Sequence, residues 1–192
     1  MASIHKGWVL TRDGELREGT AQMRRGFAAQ LATGAELVRP YWLSLMAEAC
    51  HRTGAARAGL ALLDEAEAAV ERTNERYWEA EIHRLRGQLL LATSEPAAPE
   101  VNRSAEEAYR RALDVARRQG ARSLELRAAI SLSLLCQAEG RQAEARELLA
   151  PVYGRLSEGQ ETSDLRAGAA LLAELGGPLR HEPDLTPLSG GQ

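Results

Sequence analysis

Aromatic side chains make up only 4% of the 192 residues, with a single Phe, and Val and Ile are sparse as well. Pleated strands favour those residues, so their shortage argues against an all-β fold or an α/β sheet. Lysine is nearly missing too: Arg supplies 23 of the 24 basic residues, a coding bias of GC-rich bacterial genomes rather than a physical signal. No run of 18 apolar residues occurs, so no membrane-spanning helix is expected. Met1 to Leu10 contains Lys6 but neither an apolar h-region nor a small-residue cleavage site, and the expected location is cytoplasmic. The only cysteines, Cys50 and Cys136, lie far apart and read as reduced thiols, not a disulfide framework. A net charge of −3 spread along the chain leaves no basic tail for nucleic acid. What is abundant is Ala (34 residues), Leu (29), Arg and Glu, all strong helix formers. The expectation is an all-α chain forming one domain or a short repeat array.

Repeats follow from sliding the sequence against itself. At a shift of 40 residues Thr33-Gly34 falls on Thr73-Asn74, Gly14 on Gly54, and Gly7, Ala47 and Gly87 align. A further step of 46 carries Gly87 to Ser133, Asn74 to Gly120 and Leu90 to Cys136. The six extra residues belong to Ser94-Glu95-Pro96-Ala97-Ala98-Pro99, a loop by its two prolines. Four helix-pair units result, at about 3–34, 35–74, 75–120 and 121–160, with a capping helix at 162–176 and a flexible tail at 177–192. The second helix of unit two, about Arg57 to Arg72, carries Leu60, Leu63, Ala66 and Val70 at helical spacing. Tight turns are expected at Asp13-Gly14, Thr53-Gly54 and Glu139-Gly140, and left-handed helix ends at Gly34, Asn74 and Gly120. Any of Thr162, Ser163 and Asp164 could cap the last helix, which carries Leu165, Ala169, Leu172 and Leu175 on one face and Arg166 and Glu174 outward.

Small residues recur with the repeat. Unit two reads Leu43, Met46, Ala47, Cys50, Gly54, Gly59, Leu63 and Ala66. Unit three supplies Gly87, Leu90, Ala105, Tyr109 and Ala112, and unit four Ser133, Cys136, Gly140, Ala145 and Leu149. These spacings resemble the tetratricopeptide consensus, in which a Gly or Ala stands wherever a large residue of the partner helix inserts. A period of 40 instead of about 34 lengthens each helix by roughly one turn. The expected fold is a right-handed superhelix, an α-solenoid of about four long tetratricopeptide-like pairs plus the cap.

Longer strings carry a more specific resemblance. They are Thr33-Gly-Ala-Glu-Leu-Val-Arg-Pro-Tyr41, Val70-Glu-Arg-Thr-Asn-Glu-Arg-Tyr-Trp78 continuing to Gly87, Ala112-Leu-Asp-Val-Ala-Arg-Arg-Gln-Gly120, Ser123 to Ala129, and Gly140-Arg-Gln-Ala-Glu-Ala-Arg-Glu-Leu-Leu-Ala-Pro-Val-Tyr153. The chain from Gly7 to Leu175 resembles the C-terminal tetratricopeptide region of bacterial multidomain signalling proteins that join a class III adenylate/guanylate cyclase to a nucleotide-binding ATPase. Long-repeat arrays of maltose-regulator transcription factors are similar at a greater distance. The resemblance implies a regulatory arm, either stand-alone or a fragment. It does not carry catalysis over, because the sequence has no Gly-x4-Gly-Lys-Ser/Thr and no length for a cyclase.

Other motifs promise little chemistry. Leu188-Ser-Gly-Gly-Gln192 spells the signature of transporter ATPases, but the sequence has no Gly-x4-Gly-Lys-Ser/Thr to accompany it, and no nucleotide site is expected there. His5, His51, His83 and His181 form no His-Glu-x-x-His and no Cys/His zinc spacing, so no metal, cofactor or catalytic residue is assigned. Cys50 and Cys136 share one inward repeat position and are expected to be buried and inert. Arg110-Arg111 and Arg117-Arg118 lie on one helical face among Glu106, Glu107 and Asp114, a salt-bridged surface and not a nucleic-acid footprint. Tyr41-Trp42 and Tyr77-Trp78 begin the first helices of two units, their tryptophans wedged between repeats.

The resemblance to tetratricopeptide arrays implies a groove along the first helices. Carried onto this numbering, its lining is Trp8, Tyr41, Ser44, Glu48, His51, Arg52, Glu81, Arg84, Gln88 and Arg127. Arg52, Arg84 and Arg127 could grip a carboxylate in two-pronged fashion. Glu48 and Gln88 stand where the clamp for acidic C-termini has Asn, which departs from that ligand. The expected function is a non-catalytic scaffold that binds a protein or peptide in signal transduction. A small-molecule-sensing array of a regulator is the alternative. The apolar run Trp8-Val9-Leu10 in the first repeat adds an expectation of self-association or of an upstream domain.

Overall fold

The protein is seen in a computed structural model that describes residues 2–34, 36–93, 98–156 and 162–176. The described residues form nine α-helices and no strand: α1 (Ala2–Arg12), α2 (Leu16–Ala32), α3 (Arg39–Arg52), α4 (Ala56–Thr73), α5 (Glu79–Leu91), α6 (Pro99–Gln119), α7 (Arg122–Ala138), α8 (Gln142–Gly154) and α9 (Ser163–Glu174). Most of the proline loop and the whole 177–192 tail lie outside the described residues, and residues 188–192 and His181 with them.

Glycine and asparagine set the helix ends. Gly14, Gly54 and Gly140 have φ of 94°, 72° and 77°, a region that a Cβ makes costly. Each closes its turn with the same six-residue backbone bond: Glu15 N–H to Leu10 O at 2.9 Å, Ala55 N–H to Cys50 O at 2.9 Å and Arg141 N–H to Cys136 O at 2.8 Å. Asn74 (φ 57°) and Gly120 (φ 64°) stop α4 and α6 in the left-handed conformation. Thr162 caps α9, its hydroxyl accepting from Leu165 N–H. Along α4 the buried positions are Ala56, Gly59, Leu63, Ala66, Ala69 and Val70, while Leu60 is only half-buried. On α9 they are Leu165, Gly168, Leu171 and Leu172, with Arg166 and Glu174 exposed.

Consecutive helices pack as the pairs α1/α2, α3/α4, α5/α6 and α7/α8, and α1, α3, α5, α7 and α9 touch one another in series. Small residues let them approach. Ala47, Ala66, Ala105, Ala112 and Ala145 are all wholly buried. At the α1/α2 crossing the contact is with backbone: a Cβ added to Gly7 would stand 2.6 Å from Gly19 O and one added to Gly19 would stand 2.6 Å from Gly7 O. At α5/α6 a Cβ on Gly87 would meet the Tyr109 ring at 2.4 Å.

The few rings cluster. His5 packs edge-on against Trp42 at 4.8 Å, Trp42 against Tyr41 at 4.9 Å and Tyr41 edge-on against Trp78 at 5.0 Å. Trp42 is buried, and half-buried Trp78 also packs against the cluster of Val115, Ala116 and Leu124. This aromatic ladder ties α1, α3 and the start of α5 together, spending scarce ring area where successive helix pairs meet.

Gly19→Ala tests the crossing. Helix propensity alone would favour Ala by about 1 kcal/mol, but overpacking against backbone costs about 1–3 kcal/mol. A net loss in thermal melting temperature is expected for Gly19→Ala. Gly154→Ala, where none of the described residues lies within 4 Å of the new Cβ, should be neutral or stabilising.

Candidate functional site

Because the odd-numbered helices lie side by side, residues that recur with the repeat come together. Trp8, Glu48, Gln88 and Leu134 are separated by steps of 40, 40 and 46 residues and sit on α1, α3, α5 and α7. All four line one cleft of about 250 Å3. Arg12 and Arg52 repeat the pattern one turn further along their helices, and Glu81 and Arg127 supply another register pair. Helix α9 closes the side with Ser163, Asp164 and Ala167.

Seven of the ten residues expected to line a groove are therefore in this cleft: Trp8, Glu48, Arg52, Glu81, Arg84, Gln88 and Arg127. The other three are elsewhere. Ser44 is wholly buried and donates its hydroxyl to Tyr41 O at 2.7 Å. Tyr41 belongs to the aromatic ladder, its hydroxyl 3.0 Å from His5 Nε2. His51 lines an adjoining hollow with Leu91, Leu135 and Ala138, which shares Gln88, Ser131 and Leu134 with the cleft. Sequence reasoning missed Arg12, Ile130, Ser131, Leu134 and Asp164. Leu134 was within reach by the register step from Gln88, and Arg12 by the step back from Arg52. Asp164 was not, since only the docking of α9 brings it there.

The floor of the cleft is ionic. Buried Glu81 takes a two-pronged fork from Arg84, with Nε to Oε2 at 2.8 Å and Nη2 to Oε1 at 2.7 Å. Arg127 reaches the same carboxylate at 3.4 Å and binds Asp164 Oδ2 through Nε at 2.7 Å. Burial works against the charge on Arg84 and Arg127, yet Glu81, with Asp164 for Arg127, outweighs it and leaves both raised. Near the α1 end, Glu48 accepts from Trp8 Nε1 at 2.7 Å and from Arg52 at 2.9 Å. The three arginines read as carboxylate grips are thus already engaged by internal carboxylates. Arg12 differs: its guanidinium stacks over the Trp8 ring at 4.9 Å and has no carboxylate partner among the described residues. Four guanidinium groups face three carboxylates, so the lining carries one surplus positive charge.

Elsewhere the pairings are structural. Arg110 binds Glu106 and Glu144, and Arg117 binds Glu125, which places half of each Arg doublet in ion pairs. Cys136 is wholly buried, but Cys50 is only half-buried, a difference between two positions the repeat makes equivalent. Among the described residues no group of three or more His, Cys, Asp or Glu is placed to hold a metal ion, and no helix is long and apolar enough to cross a membrane. No protein-family model matches the chain, and no curated protein or solved structure matches it.

Two outcomes follow from the floor. Glu81→Gln leaves the Arg84 guanidinium buried beside a neutral amide, and removing one partner of such a pair costs about 3–5 kcal/mol, measurable by denaturant unfolding. His51 is held below the ordinary histidine range by burial and by Arg52 and Arg84. The unfolded chain therefore binds a proton near pH 6.5 that the folded chain refuses, and stability falls as pH drops through that value. His51→Gln should flatten the loss of melting temperature between pH 7 and pH 5.

Proposed function

We propose that the chain is a non-catalytic, tetratricopeptide-like interaction module whose cleft holds an extended segment of a partner protein. The observation that carries this reading is the convergence of side chains from α1, α3, α5, α7 and α9 on one cleft at repeat-equivalent positions. In this reading the helix pairs continue as a right-handed superhelix with the odd-numbered helices on its concave side, the surface through which repeat arrays bind. The resemblance to cyclase–ATPase signalling proteins supports a role as a regulatory arm in bacterial signal transduction, acting in the cytoplasm.

The lining states what a partner must offer. A carboxylate suits Arg12, the one arginine of the cleft without an ion pair among the described residues. An apolar side chain suits Leu134, which is 48% exposed where the cleft meets the adjoining hollow. The partner segment therefore carries both a carboxylate and an apolar side chain.

Selection from a displayed library of unstructured peptides should enrich such segments. The double substitution Arg12→Glu and Leu134→Glu, both outside the buried ion network, should weaken their binding at least about ten-fold, which is 1.4 kcal/mol. Charge reversal at Arg110, on the α6 surface, should leave binding unchanged. A selection that enriches no peptide sensitive to the cleft pair would overturn the reading.

A further inference from the structure

A separate hollow of about 570 Å3 lies between α2, α3 and α4 and shares no residue with the cleft. Its walls are mainly apolar: Met23, Met46, Leu62 and Ala49, with Ala58 and Ala61 exposed along α4. The repeat register explains why it is open. Forty residues on from Thr20, Ala49 and Cys50 stand Leu60, Leu89 and Leu90. Forty on from Arg24 and Met46 stand Asp64 and Arg86, whose side chains form an ion pair of 2.8 Å. One repeat further along, then, leucines occupy the equivalent positions and a salt bridge spans α4 and α5. Here small residues leave a hollow among the described residues, and a methionine stands where the next repeat has an arginine.

The charges of this hollow are unequal. Glu65 is held by Arg39. Arg24 has no ion pair among the described residues, and it lies close enough to Cys50 to offset part of the rise that burial imposes on that thiol. An apolar chamber of this size falls within the range of small-ligand sites, and a single unpaired guanidinium at its edge selects one anionic group. A matching ligand has an aliphatic body and one carboxylate. We propose that this hollow binds a medium-chain aliphatic carboxylate, its chain packed against Met23, Met46 and Leu62 and its head on Arg24. The proposal stands apart from the concave-cleft reading.

The two cysteines supply the readout. Cys50 lines the hollow and is half-buried, whereas Cys136 is wholly buried and serves as an internal control. Dodecanoate below its micelle concentration should slow alkylation of Cys50 by N-ethylmaleimide at least five-fold and saturably, followed by peptide mass spectrometry. Dodecylammonium of the same chain length should not. Arg24→Gln should weaken dodecanoate binding by about two- to five-fold, the range for an exposed ion pair. Ala61→Glu should abolish it. That substitution sits on an exposed helix position whose register equivalent is already Glu107, so the variant keeps the fold. The Arg12→Glu and Leu134→Glu variant should bind dodecanoate as the native chain does, which separates failure here from failure of the cleft reading. Equal protection by both amphiphiles, or unchanged binding to Ala61→Glu, would overturn the proposal. So would protection of Cys50 that rises with protein concentration without ligand, which would mean that a second copy covers the hollow.

Discussion

Two helices can lie as close as α1 and α2 do only if neither presents a side chain at the crossing. Gly7 and Gly19 meet there backbone to backbone, with no room for a Cβ on either. The same constraint returns at Gly87 against Tyr109 and, in softer form, at the wholly buried alanines 47, 66, 105, 112 and 145. Close approach matters because dispersion is short-ranged: a gap of an ångström at a crossing forfeits much of the contact energy of every atom lining it. With so few aromatic rings to fill larger gaps, this chain depends on small residues at the axis contacts and leucines around them.

That packing arranges the charges. Arginine, nearly the sole base, carries a planar fork that bridges neighbouring helices where lysine's single ammonium would make one contact. Arg141, just before α8, joins Glu106 on α6 to Glu144 on α8, and Arg39 joins Glu36 to Glu65 on α4. On the exposed surface such pairs contribute little to stability individually. In the cleft they act differently. Glu81 is buried, so its two arginines are fixed in position and the floor is preorganised. Its charges are also largely spent on each other. Among the described residues Arg12 is the guanidinium of the lining without a carboxylate partner.

Much of the architecture was legible in the residues because helix punctuation is local. Gly14, Gly54, Gly140, Asn74 and Gly120 mark ends through backbone conformations that few residues adopt, and each behaves as its identity dictates. The face along the first helices was legible for a related reason: a constant repeat length puts equivalent positions on adjacent helices, which is how Trp8, Glu48 and Gln88 reach the same cleft. The misplacements had a local cause as well. Ser44 has the right register for the groove but bonds its own helix backbone, and Tyr41 turns toward His5 and the tryptophans because ring contacts outweigh exposure.

The sequence by itself determined that this chain is helical, where most helices end, and which positions recur on one face, since propensity, capping and periodicity act over a few residues. Only the tertiary structure decided which charges are free. Whether Arg84 or Arg127 could meet a ligand depended on Glu81 and on Asp164, 37 residues downstream of Arg127 and brought alongside by α9. It also decided that Cys50 faces a hollow while Cys136 is sealed, although the repeat makes them equivalent. Electrostatic pairing and void space are properties of several helices at once, and no window of sequence contains them.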